Sequence, residues 1–255
     1  MSVASTRAAV VTGAGNGIGE ATARKLAERG YRVLVADVDE EAGQRVAASL
    51  KDADFVACDV QRVADVERVA QRALELGDGR LHALVNNAGQ TSRTSFAACE
   101  ASIWQQLQAV NLQSVYAMTR ACLEGLVTAG GAVVSVSSIA GLVGAEGLTA
   151  YSATKAGIIA LTRSLTLELG HSVRFNAVCP GDIATQMMAR IVADEELHAA
   201  SAARVPAGRF GRPEEVADVI VWLLSDGASY VNGVAVPVDG GLTAGIRDLV
   251  IPVRG

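Results

Sequence analysis

The sequence predicts an α/β fold: a single domain with a doubly wound, parallel sheet of about seven strands and helices on both faces. Three observations predict it. Short apolar runs alternate with stretches of helical periodicity along the chain. Half of the 255 residues are hydrophobic and only 19% are charged, as expected where parallel strands are buried on both faces. No repeat, low-complexity tract or linker divides the chain, so we predict one domain over residues 1–255.

The predicted strands and helices alternate in order. Ile18, Thr22 and Leu26 share one face of the first helix, and Gly30 supplies its stop. The last helix begins at Pro213, with acidic residues in its first turn. The predicted strands are the short apolar runs 8–11, 33–36, 55–57, 81–85, 132–136, 173–178 and 234–238. The predicted helices are 17–29, 40–50, 63–76, 103–127, 151–169 and 213–224. Right-handed crossovers would place helices on both faces of the sheet.

Composition and charge argue against several classes of function. The net charge is −5 and no dense run of Lys or Arg is present, so we expect no nucleic-acid or anionic-membrane partner. We expect the first strand to begin near Arg7, which leaves residues 1–6 too short for an apolar targeting segment, and we predict a cytoplasmic protein. Residues 125–145 are uncharged and long enough to span a bilayer, but their glycines and serines favour a helix end, a strand and a loop.

The cysteines and histidines do not have the spacing of a metal site. Cys58, Cys99, Cys122 and Cys179 are widely scattered, and no pair has C-x-x-C spacing. The three histidines do not cluster with them. We therefore predict no metal, and unpaired, buried thiols in a reducing cytosol.

A glycine-rich segment, residues 12–19 with the sequence TGAGNGIG, follows the first predicted strand. Its glycines permit a tight turn and let the backbone approach a pyrophosphate. The helix that starts near Gly17 then directs its free N–H groups at the phosphates. The alternative is an ordinary strand–helix turn. Because the segment lies between a strand and a helix, as the motif requires, we predict a Rossmann-type dinucleotide site.

The acidic residue Asp37 ends the second predicted strand, 18 residues beyond Gly19. A carboxylate here can accept both ribose hydroxyls of the adenosine half of NAD, and it would repel the 2′-phosphate of NADP. No arginine lies in the glycine-rich turn or directly after Asp37. The alternative is a solvated loop aspartate, since Asp39 and Glu40 lie alongside. We predict NAD(H) as the cofactor, with NADP(H) disfavoured.

Tyr151 and Lys155 lie at the start of a predicted helix. Their i, i+4 spacing places both side chains on one face, with Cβ atoms about 5–6 Å apart. A free tyrosine titrates near pH 10, and a nearby ammonium lowers that pKa toward the range of a useful acid/base. The alternative is two unrelated surface residues. Together with the glycine-rich turn, the pair indicates proton transfer beside a nicotinamide.

Further motifs follow in a fixed order. They are Asp59-Val60, Asn86-Asn87-Ala88-Gly89, Asn111, Ser137-Ser138 before Gly141, Pro180-Gly181 with Ile183 and Thr185, residues 211–217 and residues 239–241. From Arg7 to about Gly241 the chain thus resembles the short-chain dehydrogenase/reductase family, in its single-domain branch. The resemblance implies an NAD(H)-dependent oxidoreductase that interconverts a secondary alcohol and a ketone.

The resemblance also assigns the catalytic roles. Tyr151 would be the general acid/base that exchanges a proton with the substrate oxygen. Lys155 would lower the tyrosine pKa and bind the nicotinamide ribose, and Ser138 would hydrogen-bond the same substrate oxygen. Asn111 would organise a water-linked proton relay to the lysine, although a solvent-facing helix asparagine is the alternative. Two other serines, Ser135 and Ser137, are expected to face the sheet or its packing helices.

The same likeness defines the cofactor-binding set. Asp59 and Val60 would flank the adenine, residues 87–89 would line the cofactor, and residues 180–185 would contact the nicotinamide end. The full predicted set is Gly13, Asn16, Gly17, Ile18, Gly19, Asp37, Asp59, Val60, Asn87, Ala88, Gly89, Tyr151, Lys155, Pro180, Gly181, Ile183 and Thr185.

The pocket walls are predicted from residues 90–96, 142–148 and 187–209. By resemblance the last tract is a mobile lid, whereas its composition fits an amphipathic surface helix equally well. Residues 90–96 and 142–148 carry only two charges, Arg93 and Glu146, so we expect a small or medium, mostly apolar alcohol or ketone, with cyclic compounds among the candidates. The resemblance suggests a homotetramer or homodimer. The tail, residues 242–255, would cover a neighbouring subunit's pocket or pack locally.

Three alternatives remain. A 3-oxoacyl-[acyl-carrier-protein] reductase usually prefers NADP and carries basic residues near the site mouth, but residues 124–131 and 165–172 contain no Lys or Arg. A nucleotide-sugar epimerase or dehydratase usually needs a longer C-terminal substrate domain. A non-catalytic NAD-sensing protein would have no need of the tyrosine, lysine and serine.

Overall fold

Seven parallel strands form one sheet through the centre of the protein. The structure, a computed structural model, describes residues 7–245. The strands are β1 (Arg7–Thr12), β2 (Tyr31–Asp37), β3 (Ala53–Ala57), β4 (Ala83–Asn86), β5 (Ala132–Val136), β6 (Arg174–Pro180) and β7 (Ala235–Val238). Their order in the sheet is β3-β2-β1-β4-β5-β6-β7, and every neighbouring pair is parallel. The predicted fold class is confirmed.

Helices connect the strands on both faces. They are α1 (Gly17–Glu28), α2 (Glu40–Ala48), α3 (Val63–Leu76), α4 (Ala101–Gln108), α5 (Ser114–Ala129), α6 (Thr149–Leu169), α7 (Ala189–Val192), α8 (Glu195–Arg204) and α9 (Pro213–Leu224). A π turn, Ala109–Gln113, separates α4 from α5. The predicted helical tract over 103–127 is therefore confirmed, and the structure adds the π turn within it. The backbone on either side of the turn stays helical, and no glycine or proline marks it, so the sequence pattern gives no sign of the interruption.

Each face of the sheet has its own apolar core, because successive strand residues point to opposite sides. On one side Val11 of β1 lies in a cluster with Leu26 of α1 and Ile220 of α9. On the other side Val10 of β1 lies in a cluster with Val69 of α3. Burial on both faces explains why the strands are continuous apolar runs and do not alternate with polar residues.

The carboxyl ends of the strands form the edge where the predicted site residues meet. β1 lies between β2 and β4, so the direction of chain progression reverses beside it, and open α/β sheets bind ligands at such a point. The predicted segments all follow strand ends: residues 12–19 after β1, Asp37 at the end of β2, Asp59 after β3, residues 87–89 after β4, Ser138 after β5 and residues 180–185 at the end of β6.

Three other segments carry a prediction from the sequence: residues 125–145, 187–209 and 242–255. Residues 125–145 contain the end of α5, strand β5 and a 3-10 turn, as predicted. The tract 187–209 contains α7 and α8. In the tail, residues 246–255 lie outside the described residues, so the prediction for its apolar side chains is not addressed by the structure. Within residues 7–245, no helix combines the length and apolarity needed to cross a membrane.

Candidate active site and cofactor cleft

The glycine-rich turn after β1 needs its glycines for two physical reasons. Gly13 and Gly17 have φ angles of 62° and 55°, which other residues rarely adopt. A Cβ on Gly13 would also lie 2.8 Å from Ala88 Cα, and a Cβ on Gly19 would collide with the Gly13 carbonyl oxygen. Close backbone packing thus shapes the turn. The result is the strand–turn–helix geometry that a pyrophosphate-binding loop requires.

The loop after β4 holds this turn in place. Asn87 donates from Nδ2 to the carbonyl oxygens of Thr12 and Gly13, at 2.9 and 2.8 Å. The Thr12 hydroxyl accepts from the backbone N–H groups of Asn87 and Ala88, at 3.0 and 3.1 Å. Asn87 and Ala88, predicted to line the cofactor, therefore also brace the turn. Gly89 lies next in the chain, facing Asn111 and Lys155.

The amino end of α1 faces a cavity of about 330 Å³. Asn16 precedes the helix and makes no side-chain capping bond, so the first N–H groups remain available to an anion. Gly17 and Thr185 both line the cavity, and a Cβ on Gly17 would lie 3.3 Å from Thr185 Cγ2. The structure thus brings Thr185 of the predicted nicotinamide segment against the predicted pyrophosphate turn.

Asp37 is buried at the end of β2, only 7% exposed, and is not a solvated loop aspartate. Its Oδ2 accepts from the Gly15 N–H at 2.7 Å, and its Oδ1 accepts from the Asp39 N–H at 2.9 Å. A carboxylate has further lone pairs on both oxygens. Asp37 therefore braces the turn and keeps acceptor capacity beside it for a ribose hydroxyl.

The predicted adenine-flanking residues follow β3. Asp59 accepts from the Gln61 backbone and side chain and forms an ion pair with Arg62 at 3.5 Å. Its own N–H donates to Asp65 Oδ2 at 3.0 Å. Val60 is partly buried against the core. These contacts fix the shape of the loop, and the adenine contacts of Asp59 and Val60 stay predictions.

Tyr151 and Lys155 share one face of α6, as the spacing predicts. Lys155 Nζ lies 5.6 Å from the Tyr151 ring centroid and donates to the Val136 carbonyl oxygen at 2.9 Å. Burial lowers the pKa of the Lys155 ammonium to about 8, and the nearby Cys179 partly opposes this shift. Burial raises the pKa of Tyr151 above its ordinary value, while a hydrogen bond with Ser138 lowers it. The predicted effect of Lys155 on Tyr151 stays a prediction.

The three candidate serines after β5 have different surroundings. Ser138 hydrogen-bonds Tyr151, and its hydroxyl oxygen accepts from the Ala140 N–H at 3.1 Å. The Ser137 hydroxyl donates to the Lys155 carbonyl oxygen at 2.8 Å, which ties β5 to α6. The Ser135 hydroxyl accepts from the Asn86 side chain at 3.4 Å. Only Ser138 of these three meets the tyrosine.

Asn111 is fully buried in the π turn, so the solvent-facing alternative is wrong. Its Oδ1 accepts from the Gln90 N–H at 2.8 Å, and its Nδ2 donates to the Gln90 carbonyl oxygen at 2.9 Å and to the Thr154 hydroxyl at 3.2 Å. A Cβ on Gly89 would lie 3.2 Å from Asn111 Oδ1 and 3.4 Å from Lys155 Nζ. Asn111 thus joins the loop after β4 to α6, next to the Lys155 ammonium.

The chain is similar in sequence to a known family over nearly its whole length. Residues 13–243 match the family model described as enoyl-(acyl carrier protein) reductase. A cis-4-hydroxycyclohexanecarboxylate dehydrogenase from Sinomonas cyclohexanicum is 44% identical over 246 residues, covering 93% of this chain and 97% of the relative. The chain belongs to the short-chain dehydrogenase/reductase family.

Two more members of the short-chain dehydrogenase/reductase family illustrate its breadth. The 3-oxoacyl-[acyl-carrier-protein] reductase FabG of Thermotoga maritima is 37% identical, covering 91% of this chain and 96% of its own. The crystal structure of gox2181 superposes with a TM-score of 0.89 at 33% identity, covering 94% of this chain and 96% of its own. Dehydrogenases of this family use nicotinamide cofactors. The close-packed glycines, the buried Asp37 and the Lys155 ammonium fit such a group.

Two charged residues near the cleft carry no motif signal in the sequence. Arg45 of α2 donates to the Gly15 carbonyl oxygen at 2.9 Å, and it also forms an ion pair with Glu20 at 3.4 Å. An arginine therefore does touch the glycine-rich turn, although it lies neither within the turn nor directly after Asp37. Asp182 is partly buried between Gly181 and Ile183, both of which are predicted site residues. Only the folded chain brings Arg45 to the turn, whereas Asp182 lies within the predicted segment 180–185.

The cysteines of this short-chain dehydrogenase/reductase are unpaired. Cys58, Cys122 and Cys179 are buried, and Cys99 is partly exposed. Within residues 7–245, no three His, Cys, Asp or Glu side chains are grouped closely enough to hold a metal ion. The expectation of buried thiols is therefore correct for three of the four.

Proposed function

We propose that this protein is an NAD(H)-dependent oxidoreductase that interconverts a secondary alcohol and a ketone, with Tyr151 as the general acid/base. The observation that carries the proposal is the convergence of Tyr151, Ser138, Lys155 and Asn111 at the carboxyl ends of β4 and β5. These groups lie beside the Gly89 backbone, at the edge of the sheet that holds the glycine-rich turn. A proton-transferring group and a dinucleotide cleft at one edge suit hydride chemistry at a carbinol carbon.

Each side chain has a distinct part in the proposed reaction. Ser138 donates to the substrate oxygen and holds it beside the Tyr151 phenol. In oxidation the Tyr151 phenolate accepts the hydroxyl proton, and in reduction the phenol returns it. A nicotinamide held in the cleft would supply the hydride chemistry. Lys155 presents a positive charge that favours the phenolate and binds the nicotinamide ribose. Asn111, next to the ammonium, links the lysine to a water-mediated path for the released proton.

The preference for NAD is proposed from the surroundings of Asp37. A buried carboxylate at the end of β2 would face the adenosine ribose and repel a 2′-phosphate. The nearby Arg45 guanidinium is bound to the Gly15 carbonyl oxygen and shares its charge with Glu20. This pairing reduces its value as a phosphate ligand. NADP is therefore the disfavoured cofactor.

Exposed apolar surfaces support the proposed substrate class and assembly. Leu142, Val143 and Met187, in the predicted pocket walls, expose apolar side chains, which suits the carbon skeleton of a small or medium secondary alcohol.

On the outer helices, Tyr116 of α5 and Leu167 of α6 are 57% and 88% exposed. Apolar side chains at such positions support burial against further copies of the chain, and we propose a homotetramer or homodimer in the cytoplasm.

A second candidate is a 3-oxoacyl-[acyl-carrier-protein] reductase. The identity with the Thermotoga maritima FabG favours it. The absence of Lys and Arg from residues 124–131 and 165–172 weighs against it, since an acidic carrier is recognised by positive charge. Reduction of a 3-oxoacyl thioester with NADPH faster than any simple ketone with NADH would favour this candidate over the first.

The test is an NADH-absorbance screen of secondary alcohols and ketones, with both cofactors, using the wild type and Tyr151→Phe. We expect NAD-dependent turnover by the wild type. We expect its loss by at least about 10²-fold in the variant, because phenylalanine cannot exchange the proton. NADH binding, followed by fluorescence, should be unchanged and serves as the control for folding. An active Tyr151→Phe enzyme would overturn the mechanism.

A further inference from the structure

Thr154 lies between Tyr151 and Lys155 on α6, and its side chain is fully buried. Its hydroxyl donates to the Tyr151 carbonyl oxygen at 2.7 Å and accepts from Asn111 Nδ2 at 3.2 Å. A hydroxyl has a single proton, so one of these bonds is donated and the other is accepted. The Thr154 hydroxyl thus joins two residues of the candidate active site.

The Asn111 amide is held in one orientation by the backbone of Gln90. The Gln90 N–H donates to Asn111 Oδ1 at 2.8 Å, and the Gln90 carbonyl oxygen accepts from Asn111 Nδ2 at 2.9 Å. Because an N–H can only donate and a carbonyl oxygen can only accept, the amide cannot turn over without losing both bonds. A continuous chain of hydrogen bonds therefore runs from the loop after β4, through Asn111 and Thr154, to the carbonyl oxygen of Tyr151.

This chain of hydrogen bonds connects the tyrosine to the part of the loop that is predicted to line the cofactor. Gly89 belongs to that part and directly precedes Gln90. A Cβ on Gly89 would lie 3.2 Å from Asn111 Oδ1 and 3.4 Å from Lys155 Nζ. The first link of the chain therefore lies at the cofactor cleft, and the last link lies at the turn of α6 that carries the phenol.

The lysine on the same part of α6 is held to a different element, β5. Lys155 Nζ donates to the Val136 carbonyl oxygen at 2.9 Å, and the Ser137 hydroxyl donates to the Lys155 carbonyl oxygen at 2.8 Å. Thr154 supplies a tie in another direction, to the loop after β4. The start of α6 is thus fixed to both elements that border the proposed reaction.

Thr162, eight residues later on α6, is a natural comparison. It is also buried, and its hydroxyl donates to the Ile158 carbonyl oxygen at 2.8 Å. A buried helix threonine commonly donates to a carbonyl three or four residues earlier. Both threonines make this local bond, and Thr154 in addition accepts a bond from Asn111. A change at Thr162 therefore measures what such a hydroxyl is worth to the helix alone.

We propose that Thr154 is a positioning residue for the reaction: its hydroxyl holds the turn of α6 that carries Tyr151 at a fixed distance from the loop after β4. The inference rests on the proposed alcohol oxidation. There the proton passes to the phenolate while the hydride leaves the same carbinol carbon, so the phenol and the cofactor cleft must both be aligned with one atom. A displacement of about 1 Å in such an arrangement can lower the rate by about 10²-fold. Thr154 acts through Tyr151 and touches neither reacting atom.

The experiment removes the hydroxyl and keeps the bulk of the side chain. Thr154→Val replaces the hydroxyl with a methyl group, Thr154→Ser keeps the hydroxyl, and Thr162→Val is the matched control. With the secondary alcohol that the wild type oxidises best, we would measure kcat, KM and the rate of the first turnover after rapid mixing of the enzyme–NAD complex with the alcohol. NADH affinity and the melting temperature would be measured without the alcohol.

We expect Thr154→Val to lower kcat and the first-turnover rate by about 10-fold or more, with KM and NADH affinity within about twofold of the wild type. Thr154→Ser should keep a first-turnover rate close to that of the wild type. Thr162→Val should lower the melting temperature, because a buried hydroxyl is lost, and should leave kcat and the first-turnover rate unchanged.

The outcomes separate this inference from the proposed function. A wild-type first-turnover rate in Thr154→Val overturns the inference and leaves the proposed function intact. So does a loss of rate no greater than that of Thr162→Val, or a loss that also occurs in Thr154→Ser. If Thr154→Val shows no melting transition, Thr154→Ala, which also lacks the hydroxyl and adds no methyl group against Asn111, takes its place under the same expectations. Bound NADH with no alcohol oxidised by the wild type overturns both the inference and the proposed function.

Discussion

At the scale of single residues, the proton chemistry is governed by burial. Tyr151 and Lys155 are both withdrawn from water, and burial disfavours the charged form of each, so it raises the pKa of the phenol and lowers that of the ammonium. The proposed oxidation needs the phenolate. A hydrogen bond with Ser138 lowers the Tyr151 pKa. Ser138 therefore has two effects, on the substrate oxygen and on the acidity of its neighbour.

Ser138→Ala should shift the pH profile to higher pH. Without the hydroxyl the pKa of Tyr151 rises further, so the rise of the oxidation rate with pH moves upward and ketone reduction persists to higher pH. The rate should also fall by about 10²-fold, because the substrate oxygen loses a donor. The measurement is kcat/KM against pH in both directions. Ser138→Thr retains a hydroxyl and should keep the wild-type profile; an unshifted profile for Ser138→Ala would contradict the assignment.

The candidate residues differ in how far the sequence reveals them. The i, i+4 spacing of Tyr151 and Lys155 is a local property, and it predicted their shared helix face correctly. The contact of Arg45 with Gly15 depends on how α2 packs against the turn, 30 residues away in sequence, and no spacing rule contains it.

At the scale of elements, the glycine-rich turn depends on the end of β2 as well as on its own glycines. Asp37 accepts from the backbone of Gly15, and Arg45 donates to the carbonyl of the same residue. The turn is therefore held from both sides by β2 and α2. The selectivity of the proposed cofactor site and the shape of the turn rest on one carboxylate.

Asp37→Ala should weaken NADH binding by about 10- to 100-fold and NADPH binding much less, since a hydrogen bond to a charged group is worth about 1.5–3 kcal/mol. It should also lower the melting temperature of the free protein, because two backbone N–H groups lose their acceptor. Asp37→Asn keeps one acceptor oxygen. It should reduce the preference for NADH over NADPH and lower the melting temperature less than Asp37→Ala does. Fluorescence titration with each cofactor measures this. Asp39→Asn, which retains a good helix cap, is the control; equal weakening of both cofactors by Asp37→Ala would contradict the NAD assignment.

Element boundaries were predictable where a strong local signal marks them. The bounds of α3 and α9 match the predicted 63–76 and 213–224, the latter marked by Pro213. β3 begins at Ala53, two residues before the predicted start, because backbone pairing with β2 extends over the polar Asp54. Apolar patterning cannot predict a strand residue that is held by its neighbour and not by burial.

At the scale of the whole molecule, the two cores that cover the sheet also control the cysteines. Burial raises the pKa of Cys58 and of Cys122 to about 12, so neither forms a reactive thiolate near neutral pH. Burial likewise raises the pKa of Cys179. Cys99, partly exposed after the loop that follows β4, is outside this protection.

A thiol reagent should therefore distinguish the exposed Cys99 of the native protein from the three cysteines that react only when the protein unfolds. In the native protein we expect one fast-reacting thiol, Cys99, and in guanidinium chloride we expect all four to react. The check is the stoichiometry and rate of Ellman's reagent. Cys99→Ser should abolish the fast phase and leave the melting temperature almost unchanged. If a fast-reacting thiol remained in that variant, one of the two cores would be opening readily, contrary to this prediction.

The π turn between α4 and α5 restricts how this chain can vary in length. An α-helix rotates by about 100° with each residue, since 3.6 residues complete a turn. Deleting one residue from Ala109–Gln113 would restore ordinary winding and would leave Met118 and Cys122 directed at the core beneath the sheet, because the wide turn takes up one extra residue with little change in total rotation. The extra residue of the π turn allows Asn111 Oδ1 to accept from the Gln90 N–H, while the apolar side of α5 still faces the core. We infer that a one-residue deletion here would remove the contact of Asn111 with Gln90 while α5 stayed packed on the sheet.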